Sequence, residues 1–152
     1  MEKIEPTNEH RWLQRLVGEW QWQSEMGGEN VSGKARVRSL GGLWIVCEFD
    51  MPDFEGKPGT ALITLGYNIG KQRHEGTFVA SMMDFQWVYD GQREGDRLNL
   101  DTQGPAMDDP TKQVPYRDVV EIESDDRWYL RALMQKDGAW HEFMTTTYRR
   151  VK

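Results

Sequence analysis

Gly18-Glu19-Trp20-Gln21-Trp22-Gln23-Ser24-Glu25-Met26 decides the fold. Trp20, Trp22, Ser24 and Met26 fall on one parity, and Glu19, Gln21, Gln23 and Glu25 on the other. Residues two apart share a face only in an extended chain, so the stretch reads as a strand with one face turned from water. Gly27-Gly28-Glu29-Asn30 turns the chain, and the alternation resumes with Val31, Gly33, Ala35 and Val37 on one face. The other face carries Ser32, Lys34, Arg36 and Arg38. Acidic and amide side chains on one strand meet basic ones on the next, the charge match of paired neighbours.

Working upstream, one helix is expected over residues 9–17, capped by Asn8, with Glu9 at its positive end. Trp12, Leu13, Leu16 and Val17 share a face, and Gly18 stops the helix. Downstream, Gly41-Gly42 turns into a strand to Asp50 that is apolar on both faces: Leu43, Ile45, Cys47 and Phe49 against Trp44 and Val46. Met51 to Gly59 reads as a Pro/Gly-rich loop. Further strands are expected at 61–68, 74–83, 85–90, 97–102, 116–123, 127–135 and 139–150. The turns are Asn68-Ile69-Gly70-Lys71, Asp90-Gly91, Ser124-Asp125-Asp126 and Lys136-Asp137-Gly138. Gln103 to Pro115 is a long loop, either a lid or a crossing of one end.

About ten strands joined by hairpins predict an all-β protein, an up-and-down antiparallel β-barrel in a single domain, residues 1–152. The short N-terminal helix plugs one end, and closure removes the exposed edges of an open sheet. Trp20, Trp22, Ala35, Ile45, Ile63 and Leu65 are expected inside.

A net charge of −6 argues against nucleic acid or an anionic membrane as partner, since phosphate binding needs a clustered Lys/Arg field. One cysteine, Cys47, excludes an internal disulfide framework. The polar start Met1-Glu2-Lys3-Ile4-Glu5-Pro6 is unlike a secretory signal, and no run of residues suits a membrane crossing. The expected location is the cytoplasm. Gly28-Glu29-Asn30-Val31-Ser32-Gly33-Lys34-Ala35 nearly spells a phosphate-binding loop. It ends in Ala, and a strand follows where a helix N-terminus is required.

The order of Leu16-Val17-Gly18-Glu19-Trp20, Leu40-Gly41-Gly42, Thr64-Leu65-Gly66-Tyr67-Asn68, Glu94-Gly95-Asp96 with Leu98 and Leu100, and Thr147-Tyr148-Arg149-Arg150 resembles an uncharacterised bacterial family in the calycin group, the domain of unknown function numbered 1579. The resemblance implies a lipocalin-like barrel with a pocket for a hydrophobic ligand. It also implies that Arg149 or Arg150 lies over Trp20 of Gly18-x-Trp20 and closes that end.

The chemistry the residues themselves support is apolar. Seven tryptophans and eight methionines exceed what a plain core needs, and their bulk and adaptability suit a cavity. Trp22, Tyr67, Phe78, Met82, Trp87 and Trp128 are the expected ligand-binding residues, for a small hydrophobic or aromatic molecule. No metal site and no cofactor is expected, because His10, His74 and His141 lack ligand spacing and no second Cys joins them. Two alternatives stand beside binding. Nitrobindin-like calycin barrels hold haem through a late-strand His, which here is His141. It faces inward if Arg149 does, and outward if Arg150 is the inward one.

The other alternative is isomerase- or hydrolase-like acid–base chemistry in the same cavity. Asp84, Glu48, Glu142, His74 and Tyr67 are its candidates, with Ser24 and Cys47 as possible nucleophiles, but no spacing assigns a catalytic set. Two titratable side chains converging on the cavity favour chemistry, and a purely apolar lining favours binding. Trp44 and Val46, with Tyr129 and Leu133, form an outward apolar strip that suggests a homodimer unless the helix covers it.

Overall fold

The computed structural model describes residues 1–26, 28–54 and 57–152. One helix and ten strands follow in order: α1 (Asn8–Gln14), β1 (Gly18–Met26), β2 (Glu29–Leu40), β3 (Trp44–Phe54), β4 (Lys57–Asn68), β5 (Arg73–Ala80), β6 (Trp87–Glu94), β7 (Arg97–Pro105), β8 (Gln113–Ser124), β9 (Arg127–Lys136) and β10 (Ala139–Arg150). Every strand pairs antiparallel with its sequence neighbours, and β1 closes the barrel on β10. This is the expected all-β, up-and-down antiparallel barrel with one short N-terminal helix. Trp20, Trp22, Ala35, Ile45, Ile63 and Leu65 are all buried, as their parity requires.

Several boundaries differ from the sequence reading, among them the end of the helix at Gln14 rather than residue 17, and the strands expected at 74–83 and 85–90, which run as Arg73–Ala80 and Trp87–Glu94. The helix is capped one residue earlier: the Thr7 hydroxyl accepts from the Glu9 N–H, and the Thr7 N–H donates to His10 Nδ1. Asp90-Gly91 lies inside β6, and the β6–β7 turn falls at Gly95, whose φ of 59° suits glycine. The expected loop Gln103–Pro115 shrinks to residues 106–112 because Gln103 pairs with Pro115 and Pro105 with Gln113. The strand continues through Gly104 because the Trp87 ring of neighbouring β6 occupies the space a Cβ would take. Strands β3 and β4 run into the expected loop Met51–Gly59, of which residues 55 and 56 lie outside the described residues.

The two ends of the barrel differ. At the closed end Trp12, Leu13 and Leu16 pack into the same core as Trp20, Ile45, Leu65, Leu98 and Trp128. Arg150 supplies the seal. Its guanidinium carbon lies 4.2 Å from the Trp20 ring centroid, and its N–H groups donate to the carbonyls of Asp125 (2.7 Å), Val17 (2.9 Å) and Arg15 (3.1 Å). Gly18, at φ 145°, leaves room for that guanidinium. Arg150 is therefore the inward arginine, and Arg149 is exposed.

The outward strip that suggested a dimer is partly used within the chain. The Trp44 ring lies over Gly66, Val46 is buried, Gln14 donates to the Trp44 carbonyl, and Arg131 stacks on Tyr129. No helix among the described residues is long and apolar enough to cross a membrane.

Candidate functional site

Side chains fill the barrel's closed half and leave its open half hollow. A void of only about 10 Å³ remains beneath Tyr89 and Leu130, whereas the cup above them holds about 420 Å³. Tyr89 and Leu130 line both spaces, so they form the floor. The mouth is ringed by Met82, Phe143 and Met107, which are 41%, 45% and 61% exposed. That apolar rim is unusual to leave in water unless something passes it.

The walls are aromatic. Phe49 stacks on Phe78 with centroids 6.1 Å apart, and Trp87 meets Phe85 and Tyr116 edge-on at 5.5 and 5.1 Å. Trp22 lies flat against Gly33, its register partner, where an added Cβ would fall 2.7 Å from the indole. The glycine lets the large ring lie along the wall and keeps the cup open.

Among the described residues, one charged group faces this space. Asp118 of β8 is opposite Leu100 of β7 and Ala132 of β9, on the inward parity with Tyr116, Val120 and Ile122. The Tyr89 hydroxyl reaches across from β6 and donates to Asp118 Oδ2 at 2.5 Å. Burial among apolar walls pushes the Asp118 carboxyl up to about 6, and the Tyr89 hydrogen bond opposes the shift. The phenols of Tyr89 and Tyr148 are held well above their ordinary value, first by burial. Tyr148 stacks on Trp128 at 3.8 Å, and Trp128 meets Trp20 edge-on, so a continuous aromatic column joins the cup to the closed end.

Of the residues expected to bind ligand, Trp22, Phe78, Met82 and Trp87 line the cup, while Tyr67 and Trp128 do not. Both have inward parity but sit too near the closed end. Trp128 is in the filled core. Tyr67 lies beneath α1 between His10 and His74, with centroids at 5.7 and 4.8 Å. His10 is buried there, its Nε2 3.0 Å from the Tyr67 carbonyl oxygen. His74 Nε2 has no hydrogen-bond partner and lies 3.4 Å from Glu9 Oε2, whose carboxylate is already held by Arg93 at 2.7 and 2.8 Å. Burial pushes His74 down to about 4, so it is neutral at pH 7 and this contact is not an ion pair.

The remaining candidates are dispersed. Asp84, Glu48 and Glu142 are exposed: Asp84 lies in the connection between β5 and β6, and Glu48 and Glu142 are chain neighbours of inward residues in their strands. Ser24 is buried and donates to the Thr145 carbonyl. Burial pushes the Cys47 thiol up to about 12, which removes it as a thiolate nucleophile. The bulge between Glu142 and Met144 breaks the parity that links His141 to Arg150: His141 pairs with Met134 opposite Tyr116, yet it is exposed at the mouth and outside the cup lining, so haem ligation through it has no support. No group of three metal-binding side chains occurs among the described residues. The sequence reading missed Asp118 and Tyr89. The signal for Asp118 was its parity with Tyr116, Val120 and Ile122.

The architecture is that of a cup-shaped closed β-barrel. The chain belongs to the family described as protein of unknown function DUF1579, which matches residues 5–150. No curated protein matches it. Among solved structures, it is similar to Rv2717c from M. tuberculosis, with TM-score 0.59 and 13% identity over 97% of this chain and 100% of that one. It is also similar to a redesigned beta barrel, with TM-score 0.52 and 12% identity over 93% and 96% of the two chains. At these identities the likeness is one of fold alone.

Proposed function

We propose that this protein binds a small hydrophobic or aromatic molecule in the open half of its barrel. The supporting observation is the cup of about 420 Å³, walled by Trp22, Phe78, Trp87 and Tyr116 and rimmed by methionine. Its volume lies within the roughly 300–1,000 Å³ of small-molecule sites. Methionines at the rim can repack around guests of different shape. The calycin likeness, carried by Gly18-x-Trp20 and the arginine over it, supports the same reading.

The test is a titration with a neutral naphthalene fluorophore, following tryptophan emission. Saturable quenching is expected, and Trp22→Phe and Trp87→Phe should remove most of it. Trp20→Phe and Trp128→Phe should leave it in place, because those rings lie in the filled half. Absence of saturable binding, with no small molecule in the native mass spectrum, overturns the proposal.

A second reading has its own observation, the convergence of Asp118 and Tyr89 on the cup. A carboxylate titrating near 6 can take and return a proton at neutral pH. Recovery of a bound molecule chemically changed by the wild type, and unchanged by Asp118→Asn, would put chemistry ahead of binding.

A further inference from the structure

Among the described residues, Asp118 is the one carboxylate that lines the cup, and no cation lines it with Asp118. Other partly buried carboxylates are matched: Asp101 by Arg117 at 2.6 Å, Glu121 by Arg131 at 3.1 Å and Glu9 by Arg93 at 2.7 Å. No Lys, Arg or His lines the cup among the described residues, and Asp118 forms no ion pair there. Among the described residues, its one hydrogen bond comes from Tyr89. A carboxylate has about four acceptor positions, so most of its capacity is unused. An ionised group in apolar surroundings without a counter-charge is costly, and a partner carrying the opposite charge removes much of that cost. Trp22, Trp87, Tyr116 and Tyr148 line the same space, and aromatic rings attract a cation.

Resting on the reading of the cup as a ligand site, we infer that its ligand is an organic cation, an apolar and largely aromatic body carrying one ammonium-type group that seats on Asp118. The ammonium donates to the carboxylate oxygens while the body fills the space between Phe49, Phe78 and Trp87. An anionic amphiphile such as a fatty-acid carboxylate meets like charge at the floor and is rejected.

The arrangement gives a pH signature. Tyr89 from β6, Tyr148 from β10 and Tyr116 on β8 are the titratable groups around Asp118, with Cys47 of β3 beyond Tyr148. Strands β7 and β9 contribute Leu100, Thr102, Leu130 and Ala132, which do not titrate. Burial holds all three phenols and the thiol far above neutrality. Asp118 is thus the group that changes charge between pH 5 and 7.5. Protonating it removes the cation's partner, so affinity for an ammonium should fall about tenfold over that interval.

Three probes with one ring system test this on the full chain by tryptophan quenching: 1-naphthylmethylammonium, 1-naphthylmethanol and 1-naphthoate. At pH 7.5 the ammonium should bind about tenfold or more tighter than the alcohol, and the naphthoate weakest. At pH 5 the ammonium's advantage should shrink about tenfold. Asp118→Asn should bind ammonium and alcohol alike. If alcohol or naphthoate equals the ammonium in the wild type, or the preference survives in Asp118→Asn, the ligand is not a cation although the cup still binds. Should none of the three bind, the cup reading fails and this inference with it. The wild-type ranking decides the matter even if the variant does not fold.

Discussion

Asp118 sits where its charge costs stability, and no cationic group among the described residues compensates. Its carboxyl titrates near 6 in the barrel against an ordinary 3.8. The folded state therefore holds a proton that the unfolded chain has already released, and stability is lost as pH rises from about 4 through 6. Asp118→Asn removes that loss while its side-chain oxygen can still accept from Tyr89. The variant should be more stable at pH 7.5 by on the order of 1–3 kcal/mol, with the difference gone below pH 4. Urea midpoints at the two pH values check it; a less stable variant at pH 7.5 would show that the carboxylate is satisfied within the fold. Such a trade of stability for a charge in a cavity is what a binding or reacting group requires. Nothing in composition reveals it. Sequence reading picks out acidic residues beside apolar chain neighbours, such as Glu48 between Cys47 and Phe49, yet in a strand those neighbours face the other way. The informative neighbours of Asp118 are Tyr116 and Val120, two positions off on either side.

Each element's face was legible, and its depth in the barrel was not. Period-two alternation identifies all ten strands, and parity alone sorts inward from outward residues correctly along β1, β2 and β4. Parity carries no information on height along the axis. Height follows from register, which the pairings Trp22↔Tyr148 and Tyr148↔Trp128 set. Hence Trp22 reaches the cup while Trp128 and Tyr67, equally inward, are lost to the closed end. The turn at Asp90-Gly91 misleads for a local reason: Gly91 is inside a strand because Leu100 and the His74 side chain pack against its missing Cβ. Closure of the end depends on β10 delivering Arg150 to three carbonyls that no strand or helix partner satisfies. Replacing Arg150 by Met keeps bulk over Trp20 but orphans those carbonyls. The expected cost is about 2–4 kcal/mol, or a fall of roughly 5–15 °C in Tm. Arg149→Met, on the exposed face, should change Tm by little, and equal effects of the two would refute the seal.

Across the whole molecule, the floor of Tyr89 and Leu130 separates two buried titratable groups with opposite linkage. Below it, His74 is held neutral, near 4 against an ordinary 6.5, so the unfolded chain takes up its proton first. Stability from His74 is full above about 6.5 and drains away as pH falls toward 4. Above the floor, Asp118 does the reverse over nearly the same window, gaining stability as pH falls from 6. The two contributions oppose each other, so in the wild type this pair gives a flatter profile between pH 6 and 4 than either group alone. Further acid should then be destabilising, because Arg93 holds the Glu9 carboxyl below its ordinary value and Trp12 and Arg15 do the same for Asp96. Single variants expose each half. Asp118→Asn should lose stability steadily from pH 6.5 to 4, leaving the His74 slope uncovered. His74→Gln should gain stability over that interval, and the double variant should be flat, since sites without shared partners add. Urea midpoints at pH 7.5, 5.5 and 4 measure all four proteins. Parallel profiles for the wild type and both single variants would mean that neither group is buried as described, and with Asp118 in water the cup would lose the charge that distinguishes it from a plain apolar cavity.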